Sequence, residues 1–233
     1  MNTTSTRKTA VLGAIAALLI AATGTASAQV RITEVSAWGS GSTPYATDWF
    51  ELTNTGSTAV SLSGWTMDDS SNGTAKVALV GVSSIAAGES VIFTENAATA
   101  SFLSTWFGSK APAGLQIGTY TGSGVGLSTS GDAVNVFNAS GALQANVVFA
   151  DSDSTSPFST FDNAAGLNNT TISQLSAVGV NGAFVAANDA TEIGSPGRIA
   201  AVSAVPEPGS YALMLGGLGV VGLISRKRLA RKA

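Results

Sequence analysis

The sequence predicts an all-β body, a sandwich or barrel, between two targeting segments. Three observations predict it. Short apolar/polar alternations recur through residues 29–200, and clusters of Gly, Ser, Asn and Asp separate them. Long helical periodicity is missing between the two ends, and at 233 residues the chain has room for one ordinary domain plus addresses.

The elements follow in order. Phe50 and Leu52 alternate with Trp49 and Glu51, and Val60 and Leu62 alternate with serines. Trp65 shares a strand face with Met67, Val91 with Phe93, and Val134 with Val136; Leu143, Ala145, Val147 and Phe149 form the longest run. A period of two places each set on one side of its strand. Glu51, beside Trp49 on the less buried face, is expected to be solvated or to pair across strands. Trp49 and Trp65 are expected to pack in the core or at its rim. Asn138-Ala139-Ser140-Gly141 reads as a hairpin turn. One helix is predicted, with Asn96 as N-cap, Phe102, Leu103, Trp106 and Phe107 on one side, and Gly108 at its end.

Composition excludes much chemistry. The chain has neither Cys nor His, so disulfides, thiolate zinc sites, Cys nucleophiles and His-based triads are ruled out. Between Gln29 and Val205, four basic residues face thirteen acidic ones, leaving that stretch with nine net negative charges. Such a body repels phosphate backbones, so nucleic acid is not expected as a partner. Phosphate-loop, dinucleotide and nucleophile-elbow motifs are also missing. Paired carboxylates remain as the one catalytic option. Asp68 and Asp69 are adjacent and would point to opposite faces of a strand. The body is therefore read as non-catalytic.

Residues 1–28 read as a signal peptide: Arg7 and Lys8, an apolar core over 10–22, then the small-residue site Ala26-Ser27-Ala28, with the mature chain starting near Gln29. Signal peptidase is the partner this implies, and an uncleaved anchor is the alternative. Residues 201–209 form a Pro-Glu-Pro linker, 210–225 a short transmembrane helix, and 226–233 a basic cytoplasmic tail with Arg226, Lys227 and Arg228. The uncharged stretch from Tyr211 to Ile224 is fourteen residues long. At about 1.5 Å per residue it spans roughly 21 Å, against about 30 Å of hydrocarbon. A span this short suits a temporary anchor.

The stretch 205–233, with Val205, Pro206, Glu207 and Pro208, an apolar helix and a basic cluster, resembles the PEP-CTERM sorting signal of Gram-negative bacteria. The resemblance implies recognition by a membrane-embedded exosortase, cleavage near the Pro-Glu-Pro, and a final place at the cell surface or in the extracellular matrix. The alternative is a generic stop-transfer helix.

Residues 29–200 resemble the lamin tail domain, an immunoglobulin-like β-sandwich. "RITEVSAWGSG" supplies Ile32 and Glu34 of an opening strand. "DWFELTNTGSTAVSLSGWTMDD" supplies the Asp48–Leu52 strand, Asn54 and the Leu62–Trp65 turn. "LSTSGDAVNVFNASGALQANVVF" supplies Gly131-Asp132 and Gly141, and "GSPG" at 194–197 looks like the close of the domain. Asp132 is expected to serve turn chemistry.

One further pattern invites a metal. From Asp151 to Asp162, oxygen side chains stand at the first, third, fifth, ninth and twelfth positions, as in a calcium loop, with Asp151, Asp153 and Asp162 as ligands. Ser156 stands where such a loop needs Gly, and Asp162 replaces the bidentate Glu; a solvated polar loop is the alternative. Two function classes follow. One is a displayed, non-catalytic surface or matrix sandwich that contacts exopolysaccharide or other surface proteins. The other is a calcium-dependent carbohydrate-binding module.

Overall fold

Alternation in the sequence becomes two facing β layers. The computed structural model describes residues 29–37, 45, 47–70, 76–122, 124–152 and 155–198. Residues 27–203 group into one compact unit. The signal peptide, the linker and the sorting tail lie outside the described residues.

The chain runs through β1 (Val30–Ser36), β2 (Trp49–Asn54), β3 (Val60–Ser61), β4 (Thr66–Asp68), β5 (Val77–Val80), β6 (Ser84–Ile85) and β7 (Ser90–Thr94). The helix α1 (Thr99–Phe107) follows, then β8 (Gln116–Tyr120), β9 (Ser130–Phe137) and β10 (Leu143–Asp151). The last strands are β11 (Phe158–Ser159), β12 (Phe161–Asp162), β13 (Thr170–Ile172), β14 (Phe184–Ala186) and β15 (Asp189–Gly194).

Ten strands pair in the order β12-β1-β2-β7-β8-β5-β4-β9-β10-β13. β5 turns the corner between the two layers. Its first half pairs with β4 through Ala78 and Val77, and its second half with β8 through Leu79 and Val80. β1 then packs against β10, closing the sandwich. β7 and β8 are parallel, which requires a crossover, and α1 is part of that crossover. β11, β15 and β14 form a separate small sheet.

The predicted alternation lines the interior. Ile32, Phe50, Leu52, Met67, Val91, Phe93, Val134, Val136, Ala145, Val147 and Phe149 are buried together in one core. Trp65 joins them, and Trp49 is buried too, so both tryptophans pack as expected. Leu143 departs from its run and is exposed, because a register shift between Leu143 and Ala145 breaks the period. The Asn138–Gly141 turn forms as read. Asn138 Oδ1 accepts hydrogen bonds from the amides of Ser140 and Ala142, both at 3.0 Å, and Gly141 sits at φ 79°.

The helix starts later than predicted. Its N-cap is Ala98, without a side-chain cap. Asn96 instead offers its carbonyl to Thr94 Oγ1 and to the Ala98 amide, so it belongs to the preceding turn. Gly108 ends the helix at φ 57°, its amide bonded to the Ser104 carbonyl. α1 lies on the outer face of β2 and β7. There Tyr45, Trp49, Ile92, Phe102, Trp106 and Phe107 form a second apolar cluster. Trp49 meets Phe102 and Trp106 edge-to-face, with centroids 5.4 and 5.8 Å apart. β2 is therefore buried on both faces, all six residues of it.

Candidate functional site

That double burial overturns half of one expectation: Glu51 pairs across strands, but it is fully buried rather than solvated. β1 and β2 pair antiparallel, and a bulge at Thr33 brings Glu34 directly opposite Glu51. Like charges so placed repel. Both carboxyls are capped by the end of the domain. Glu34 Oε1 accepts hydrogen bonds from Thr160 Oγ1 at 2.5 Å and the Ser195 amide at 2.7 Å, while Ser195 Oγ donates to Oε2 at 3.2 Å. Glu51 accepts from Thr33 Oγ1 at 2.9 Å on Oε1 and from the Gly197 amide at 2.6 Å on Oε2.

Burial pushes both groups above the ordinary carboxylate range, and for Glu34 the facing charge of Glu51 adds to the rise. Hydrogen bonds to the carboxylate oxygens pull the other way without cancelling it. The pair therefore resists carrying two charges at once.

Another buried carboxyl precedes the capping segment in the chain. Glu192 of β15 accepts from Tyr45 OH at 3.4 Å, and Tyr45 OH in turn accepts from Trp49 Nε1 at 3.3 Å. Burial, then the charge of Asp189, pushes Glu192 up to about 8. Glu192 Oε1 and Trp106 Nε1 are both buried without a hydrogen-bond partner.

Residues singled out from sequence fall differently. Asp132 does more than shape its own turn: Oδ1 accepts from the Ser70 and Ala133 amides, and Oδ2 from the Ser128 amide, all within 2.9 Å. It ties the loop after β4 to the start of β9. Asp68 ends β4 and accepts from the Asp69 amide at 3.0 Å.

The calcium pattern falls partly outside the described residues. Asp151 ends β10 and Asp153 lies outside the described residues. β11 and β12 take up 158–162 as extended strand rather than as a ligand loop. Asp162 is buried, and its oxygens accept from the Ala164 amide and from Asn181 Nδ2, both at 2.8 Å. Among the described residues, no three Asp or Glu side chains gather as a cation would need. No described helix is long and apolar enough to cross a membrane, and the expected span over 210–225 lies outside the described residues.

Glu34 and Glu51 were not read as a pair from sequence. One signal was present: Trp49-Phe50-Glu51-Leu52 is large and apolar on both faces, the mark of a doubly covered strand.

Two closed layers, a corner-turning strand and carboxyls sealed under the domain's end define an immunoglobulin-like β-sandwich. Residues 23–151, more than half of the chain, match the family model of the Lamin Tail Domain. The chain belongs to the lamin tail domain family. Residues 204–228 match the PEP-CTERM protein-sorting motif. That motif implies processing by an exosortase, with export and membrane anchoring before cleavage. No curated protein matches the chain. The family match ends at Asp151, yet the fold continues: β12 pairs with β1, β13 with β10, and the acid pair is capped from 195–197.

Proposed function

We propose that this protein is a non-catalytic passenger, delivered by its sorting tail to the cell surface or matrix, where the sandwich is displayed. Its exposed turns, such as 138–142 and 178–182, make the contacts, with exopolysaccharide or with other surface proteins. The observation that carries this reading is the fate of the acid pair. Glu34 and Glu51 have the raised proton affinity that glycoside hydrolysis uses. Both are buried, and backbone amides of the domain's own terminus hold them. They work as fold chemistry, which supports delivery and display as the role.

The test is the intact mass of the mature protein together with its cell fraction. A C-terminus near Val205–Pro208 in the surface or medium fraction is expected. A stable full-length chain in the inner membrane as the final form would refute delivery. Hydrolysis of the host's own exopolysaccharide by the purified protein, abolished by Glu34→Gln, would refute the non-catalytic reading.

A further inference from the structure

The acid pair touches the last described segment of the sandwich, 194–198, called here the exit segment, and a chain of hydroxyls runs from it toward the surface. Thr33 Oγ1, which donates to Glu51, lies 2.9 Å from Thr53 Oγ1, and Thr53 Oγ1 lies 2.8 Å from Ser90 Oγ. Thr33 and Thr53 are buried, whereas Ser90 is half-buried. Thr160, which donates to Glu34, continues in the same way to Ser176 at 2.7 Å. Hydroxyls can turn to donate or accept. This hydroxyl chain joins Glu51 to the half-buried Ser90 edge.

The exit segment 194–198 is shaped to this pair. A Cβ on Gly194 would stand 2.7 Å from Glu34 Oε1 and 2.8 Å from Trp106, so only glycine fits there. Gly197 adopts φ 67°, which aims its amide at Glu51. The Arg198 guanidinium then rests 4.1 Å from the Phe184 ring centroid.

We propose that Glu34 and Glu51 form a proton-operated latch on the segment Gly194–Arg198: a proton held by either member of the pair keeps it shut, and loss of that proton releases the segment. With both carboxyls ionised, two charges face each other out of water, at a cost that the neutral donors around them do not offset. Adjoining elements carry few charged groups. Asp162 of β12 pairs opposite Glu34, and Glu192 lies on β15. Arg31 of β1 and Arg198 of the exit segment are the cations on the adjoining chain, while β7 and α1 carry no charged side chain. Lifting the exit segment hydrates the pair without parting the β1–β2 ladder. The sandwich then stays folded while 194–198 comes free of it.

Trypsin reads this directly on the full chain. Arg198 is the one Lys or Arg between Lys110 and Arg226, and Arg31 lies within β1 and reports global unfolding. Cleavage at both sites is followed from about pH 6 to about pH 9, a range above the ordinary carboxylate values. Rates are divided by those of a peptide spanning Arg198, to remove the protease's own pH profile. The corrected Arg198 rate is expected to rise roughly tenfold or more while Arg31 stays protected. Glu51→Gln, whose amide keeps an acceptor for Gly197 but cannot ionise, is expected to flatten the rise, as is Glu34→Gln. The wild-type curve alone can overturn the latch: a flat corrected rate does so, and so does Arg31 cleavage rising in parallel. Persistence of the rise in both glutamine variants also overturns it.

Discussion

Replacing Gly194 with Ala is the most direct probe of how the end of the domain seats on the sandwich. The added Cβ would lie 2.7 Å from Glu34 Oε1, 2.8 Å from Trp106 Cη2 and 2.9 Å from Thr160 Cγ2. Ordinary contact needs about 3.5–4.0 Å, so each neighbour would have to retreat by roughly 1 Å. None can do so freely. Glu34 is held by Thr160 and Ser195, and Trp106 packs against Trp49 and Phe184. Overpacking of this kind costs about 1–3 kcal/mol, and three rigid neighbours put this site in the upper half. The stiffer unfolded chain returns about 0.4–1 kcal/mol, leaving a net loss of about 1.5–2.5 kcal/mol. With a urea slope of about 2 kcal/mol/M, the midpoint should fall by about 1 M. The assay is equilibrium urea unfolding followed by tryptophan emission, which also reports Trp106. An unchanged midpoint would show that the exit segment is not seated against Glu34 and Trp106, and the sealed acid pair would lose its basis.

Two further outcomes follow from the same geometry. Glu34, Glu51 and Glu192 are all raised in the folded state, so the stability tied to their protonation is complete below the ordinary carboxylate range and is lost as pH climbs toward about 8, the value for Glu192. Urea midpoints should fall from about pH 5 to about pH 8.5, and a rise would contradict the burial of the three carboxyls. Asp132→Ala strands the amides of Ser70, Ser128 and Ala133, of which Ala133 is buried, at a cost of about 1–2 kcal/mol in thermal or urea unfolding; a change below about 0.5 kcal/mol would show that water replaces the carboxylate easily.

Legibility varied with the range of the interaction. The Leu62–Trp65 and Asn138–Gly141 turns formed where they were read, because their chemistry is local: Gly64 and Gly141 both take positive φ, and the Trp65 amide reaches back to the Leu62 carbonyl. The interior faces of β2, β7, β9 and β10 also stood in the alternation. Leu143 failed because a bulge shifts the period without a mark in composition. Asn96 is not the cap because its carbonyl closes a local turn with the Thr94 hydroxyl and the Ala98 amide, and the helix begins after that turn. Within the calcium spacing, 158–159 and 161–162 form strands that local pattern did not mark, because their partners lie far along the chain, Glu192 and Ile193 for β11 and Glu34 and Val35 for β12.

By itself the sequence determined the all-β class, the inward faces, the tight turns, the exclusion of His and Cys chemistry, and the sorting tail. Each of these depends on residue type or on neighbours within a few positions. Only the tertiary structure decided the environment of Glu34 and Glu51. Their partners lie 126, 146 and 161 residues away in Thr160, Gly197 and Ser195, and a period of two says which way a side chain points but not what will cover it.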